Sequence, residues 1–118
     1  HEYGVAFERA TRLSVGSTQH FYVSGTASID CHGSVLHIGD VEKQAARLIE
    51  NISALLANGN ATLDDVRYFI VYLRDISDFN AVDAIFRKRF PNIPYVIVQA
   101  KVCRPEWLIE AECIAEKP

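Results

Sequence analysis

The sequence predicts an α+β fold, a mixed β-sheet with two helices packed on one face. Three observations predict it. Two stretches place apolar residues at helical spacing. Several short runs are rich in β-branched and aromatic residues, which suit strands. The order along the chain is strands, helix, strand, helix, two strands, which sends helices to one side of a sheet. At 118 residues the chain suits one domain, residues 1–118. A domain of that size buries about two-thirds of its unfolded surface, enough for a real core.

Segment 3–14, "YGVAFERATRLS", is weakly periodic and reads as a strand. Segment 20–29, "HFYVSGTASI", is a stronger one, because Phe21, Tyr22 and Val23 favour strands. Gly25 within it marks a bulge or a close backbone approach. "DCHGSVLHIGD" is a loop or hairpin rich in turn formers. Asp40 then caps a long helix in which Val41, Ala45, Leu48, Ile52 and Leu55 recur on one face. The helix ends near "ANGN", where Gly59 is expected in a left-handed cap. Residues 66–75, "VRYFIVYLRD", are apolar on both faces and read as a central strand. Ser77 is the expected cap of a second helix with Phe79, Val82, Phe86 and Phe90 as its stripe. Pro91 and Pro94 close it. Residues 95–102 and 107–115 read as two strands joined by Cys103 to Glu106, an antiparallel hairpin.

Composition narrows the function classes. The chain carries 12 Lys and Arg against 15 Asp and Glu, a net charge of −3. No basic stripe is present to hold nucleic acid. No apolar run approaches the roughly 20 residues of a membrane span. Three cysteines, Cys31, Cys103 and Cys113, form no framework spacing and read as reduced thiols of a cytoplasmic protein. The chain has no methionine and opens on His1, so the expectation is a piece of a longer protein.

The chemistry concentrates late in the chain, in "VCRPEWLIEAEC". On a strand, Trp107, Ile109, Ala111 and Cys113 share one face, and Leu108, Glu110, Glu112 and Ile114 the other. Two carboxylates about 7 Å apart on one face invite acid–base work, since burial and a like charge both favour a protonated acid. Spacing alone favours solvated or salt-bridged glutamates at a sheet edge, since structural ion pairs are common. Arg9 and Arg104 are candidates to grip a substrate carboxylate, or are solvated surface residues. Cys103 is a substrate neighbour or a small buried hydrophobe, with no base nearby to make it a nucleophile. Cys31, His32 and His37 match no zinc spacing, and neither a metal nor a cofactor is expected. Strands apolar on both faces leave one face to be covered by a partner, and self-association is the simplest cover.

"FYVSGTASI", "GDVEKQAARLIENISALL", "TLDDVRYFIVYLRDISDFNAVDAIFRKRFP" and "WLIEAECIA" together resemble the RidA (YjgF) family across nearly the whole chain. The resemblance implies a chorismate-mutase-like fold, and a homotrimer with small-molecule clefts between subunits. The imine-deaminating members of that family carry an arginine just after the proline that opens a late strand. Here the run is "PYVIV" and the matching position is Val96, which brings no cation to a substrate carboxylate. "FERA", "SGTASIDCHGSVLHIGD" and "VCRPEWLIEAE" look like the C-terminal half of the chorismatases, a chorismate-cleaving branch of the same superfamily.

That narrower likeness implies Glu110 as the catalytic acid. It implies a substrate-contacting thiol at Cys103, and Arg104, Arg9, Glu112, Ala27 and His32 are the further substrate-binding candidates. Three functions follow as expectations. One is a chorismatase-like enzyme acting on a small carboxylated metabolite. The second is an imine deaminase, against which Val96 stands. The third is a non-catalytic metabolite-binding trimer. Family names that mention translation inhibition or ribonuclease activity find no support in this charge pattern.

Overall fold

A computed structural model of the chain describes residues 10–26, 34–101 and 106–118. Five strands and two helices account for most of them. They are β1 (Ala10–Val15), β2 (Thr18–Thr26), α1 (Val41–Ala57), β3 (Val66–Leu73), α2 (Phe79–Arg89), β4 (Tyr95–Gln99) and β5 (Ile109–Lys117). The sheet order is β1-β2-β5-β3-β4. β1 and β2 form a hairpin, and β5 lies antiparallel between β2 and β3. β4 runs parallel to β3 at the sheet edge. The mixed sheet with two helices is therefore as the sequence predicts.

One expectation is overturned. Residues 95–102 and 107–115 do not form a hairpin, because β3 lies between β4 and β5. The physical reason is α2. It carries the chain from the end of β3 back to its start, so the next strand lies parallel to β3 on its outer edge. β5 then takes the other edge of β3, where its backbone groups pair on both sides. β4 also ends earlier than expected, at Gln99.

α1 begins as its sequence demands. The Asp40 carboxylate accepts the Lys43 backbone N–H at 3.0 Å. Its apolar stripe, including Ala45, Leu48, Ile49, Ile52 and Leu56, is fully buried against the sheet. Its C-terminal turn differs from expectation. The left-handed residue is Asn60, at φ 63°, and not Gly59. Gly59 is small for another reason: a Cβ there would overlap the Phe21 ring. Gly25 sits where the β2–β5 register shifts between Val23 and Thr26, the bulge the sequence implies.

α2 is capped differently from expectation. A short 3₁₀ turn, Ile76–Asp78, precedes it, and Asp75 accepts the Ser77 N–H at 2.9 Å. Ser77 is therefore inside a turn and not the cap. Because α2 starts only at Phe79, that residue lies at the helix end and is 38% exposed. Val82 and Phe86 carry the buried stripe, continued past the helix by Phe90. Phe86 meets Phe69 edge-on at 5.3 Å, and Phe90 lies 4.7 Å from Phe69.

Both helices lie on one side of the sheet. On that side Phe21, Val23, Phe69, Val71, Ile109, Ala111 and Cys113 form the core. The opposite face carries Tyr22, Tyr68, Ile70, Tyr72, Val96, Val98 and the glutamates of β5. Within the described chain nothing packs over it, and Leu13, Val15, Val96 and Val98 are all exposed there.

Candidate functional site

The site is built on β5, and β5 is anchored before it begins. Gln44 of α1 is fully buried and makes three hydrogen bonds. Its amide donates to the carbonyls of His37 at 3.2 Å and Glu106 at 3.0 Å. Its oxygen accepts the Leu108 N–H at 2.9 Å. Arg74, just after β3, donates from Nε to the Trp107 carbonyl at 2.9 Å. Its backbone N–H donates to the Leu108 carbonyl. Residues 106–108 are thus held from the helix side and from the sheet side at once. A buried amide satisfied at both ends fixes a loop more firmly than apolar packing would.

β5 alternates as the sequence requires. Trp107, Ile109, Ala111 and Cys113 are buried on the helix side. Glu110, Glu112 and Glu116 face the open side. Glu110 is only 6% exposed, although the described residues leave its sheet face open. A sheltered carboxyl of this kind can hand a proton to a bound molecule or take one from it.

Glu112 is held differently. Tyr22 of β2 donates its hydroxyl to one oxygen at 2.8 Å, and Tyr72 of β3 donates to the other at 2.7 Å. Both tyrosines reach it diagonally. Tyr22 stands opposite Ile114, and Tyr72 stands opposite Glu110. The clamp therefore spans the three central strands. The Glu112 carboxylate pushes the Tyr72 hydroxyl up to about 12, chiefly through the hydrogen bond, with burial next. Tyr22 is raised chiefly by its own hydrogen bond to Glu112. Farther along, Glu116 pairs with His20 and with Arg67, each at 3.3 Å. On the other face, burial first and the Glu112 charge second push the Cys113 thiol up to about 12. That thiol is inert at neutral pH.

The structure brings Glu110 and Glu112 side by side on the open face, with Val96 on the same face and 49% exposed. Arg9, Ala27, Cys31, His32, Cys103 and Arg104 lie outside the described residues. His37 is in the loop before α1 at φ 59°, and its carbonyl is bound by Asp40 and Gln44. Among the described residues no group of His, Cys, Asp and Glu is placed to hold a metal ion. Nor is any helix among them long and apolar enough to cross a membrane. A hollow of about 530 Å³ between Arg67, Arg89 and Phe90 holds none of the predicted residues.

Sequence reasoning missed Tyr22, Tyr72 and Gln44. The tyrosines read there only as strand formers, and nothing local ties either to a residue 90 or 40 positions away. Gln44 carried a readable signal: an uncharged amide at the edge of an apolar helical stripe.

Comparisons with known proteins fit this architecture. The model of the endoribonuclease L-PSP family matches residues 6–117. The 3-aminoacrylate deaminase RutC of Acinetobacter baylyi is 32% identical over 96 residues, which cover 80% of this chain and 76% of that one. A RutC family protein of Saccharolobus solfataricus is 39% identical over 98 residues, covering 81% and 78% of the two chains. The crystal structure of RidA from an Antarctic Psychrobacter aligns with a TM-score of 0.76 at 29% identity, covering 93% of this chain and 87% of that one. With a family model spanning nearly its whole length and relatives above 30% identity, the chain belongs to the endoribonuclease L-PSP family, within the RidA/YjgF superfamily.

Proposed function

We propose that this chain is a cytoplasmic deaminase of small enamines or imines, working in clefts between copies of itself in a homotrimer. The observation that carries the reading is Glu110, a buried acidic residue on a sheet face that the described residues leave open. The choice of reaction rests on the likeness to a relative named as a 3-aminoacrylate deaminase. That likeness favours deamination over the chorismate-cleaving alternative.

The chemistry asks one carboxyl to work twice. Protonated Glu110 gives its proton to the carbon of an enamine, and the substrate becomes an iminium ion. The carboxylate left behind takes a proton from water as the water oxygen bonds to the C=N carbon. The carbinolamine hydroxyl then gives its proton to the nitrogen, the C–N bond breaks and ammonia leaves, with a carbonyl compound as the other product. Enamine plus water gives carbonyl plus ammonia, and Glu110 ends protonated again. Proton transfer by a placed side chain contributes typically ~10²–10⁴-fold.

A carboxylated substrate needs a cation, and Val96 supplies none. Arg104 and Arg9 take that role in this reading. Substrate contacts from Cys103, Ala27 and His32 belong to the same proposal. The second copy is expected over Leu13, Val15, Val96 and Val98, whose exposure is costly for an isolated chain.

The test offers the purified chain an unstable enamine, generated in place, and separately chorismate. Faster ammonia release from the enamine, with no pyruvate from chorismate, is the expected result. Pyruvate from chorismate without ammonia release would replace this reading with the chorismatase-like one. Binding of either compound with neither product would leave a metabolite-binding protein.

A further inference from the structure

Glu112 is the second carboxylate of the site, and its geometry assigns it a different task from Glu110. Both of its oxygens already accept a tyrosine hydroxyl, at 2.8 and 2.7 Å. Tyr72 leaves its strand directly opposite Glu110 and ends at Glu112. Its ring therefore spans the interval between the two carboxylates. Its rotamer is set by one hydrogen bond at the tip, since the ring is only partly buried. Tyr22 braces the same carboxylate from the opposite strand.

Resting on the deaminase reading above, we propose that Tyr72 is a positioning residue for the reaction at Glu110. Glu112 holds it in place and transfers no proton itself. The Tyr72 hydroxyl, spent on Glu112, is kept away from Glu110. The ring then stands fixed beside Glu110, as a surface against which a flat conjugated enamine can lie. Without the clamp the ring is free to turn about its side-chain bonds and to bring its hydroxyl onto Glu110. The other titratable groups on this face, among the described residues, are Tyr68, His20, Arg67 and Glu116. Glu116 is engaged with His20 and Arg67. β4 contributes only Val96 and Val98 there, and β1 contributes Leu13 and Val15.

The experiment compares Tyr72→Phe, Glu112→Ala and Glu112→Gln in the full chain. It reads kcat and KM for ammonia release, and separately the ionisation of tyrosines by their phenolate absorbance. Tyr72→Phe and Glu112→Ala are expected to lower kcat roughly tenfold, the worth of one net hydrogen bond, with KM nearly unchanged. Glu112→Gln is expected to recover most of the loss. Its amide oxygen accepts one hydroxyl and its NH₂ donates to the other hydroxyl oxygen. A Glu112→Gln variant as slow as Glu112→Ala would mean that Glu112 moves a proton, and would overturn the assignment. So would an unaffected Tyr72→Phe.

Absence of ammonia release from the parent refutes the deaminase reading by itself. The titration then decides the clamp alone. Two tyrosines ionising earlier in Glu112→Ala than in the parent, with Tyr95 still raised in both, support it. Identical titrations refute it.

Discussion

Gly59→Ala places two physical effects in opposition, and the structure decides between them. Replacing a glycine at a backbone that alanine can adopt normally stabilises by about 0.4–1 kcal/mol, through the unfolded chain. Gly59 is not among the residues with positive φ, so that gain is available. Against it stands the Phe21 ring, whose edge occupies the space a Cβ needs. Phe21 is 3% exposed and belongs to the core. The way out for its ring is toward a shallow hollow of about 170 Å³ lined by Thr11, Arg12, Leu55 and Asn58. Turning the ring that way costs about 0.5–1.5 kcal/mol off its rotamer. It also forfeits part of the ~1.5–3 kcal/mol that a buried phenylalanine contributes. The sum is a loss of about 1–2 kcal/mol after the entropy gain is subtracted. Urea unfolding at fixed protein concentration reads it as a lower midpoint with unchanged slope. Adding Phe21→Leu should make the second substitution nearly silent, a coupling between neighbours. A Gly59→Ala variant as stable as the parent, or more so, would refute the reasoning.

Phe86→Ala should cost about 3–5 kcal/mol, because Phe86 is fully buried among Phe69, Phe90 and Tyr95 and is half of what anchors α2; thermal unfolding checks it. Asp40→Ala removes the Lys43 cap and should cost about 1 kcal/mol, read by urea unfolding. Cys113 should resist alkylation in the native protein at neutral pH and react once unfolded, as peptide mapping after labelling would show. Its raised thiol gives the linkage sign: that contribution is complete below the ordinary pKa of 9.0 and is lost as pH climbs toward about 12.

The fold was legible where pattern and geometry share a period. The stripe of α1, its Asp40 cap and the two faces of β5 follow from spacing alone, and the resemblance adds the architecture. The pairing of β4 with β5 was misread because sequence proximity resembles a hairpin. The competition for the edge of β3 is settled by tertiary packing of α2, which no local window contains. Ser77 was misread because Asp75, two residues earlier, caps a 3₁₀ turn first. At the site, Glu110 and Glu112 were legible as a pair, since strand alternation puts both on one face. Their different circumstances were not. Glu110 is buried, and the double hydroxyl bonding of Glu112 depends on strands 40 and 90 residues distant.

The central claim is that the Glu110 carboxyl does the chemistry. Glu110→Gln keeps the volume and most hydrogen bonding while removing the exchangeable acid. The deciding measurement is the rate of ammonia release by this variant, folded and assembled as the parent is. A loss of roughly 10²-fold or more is what a proton-transferring carboxyl requires. Release at the parental rate would mean that the reaction, wherever it occurs, does not pass through that residue.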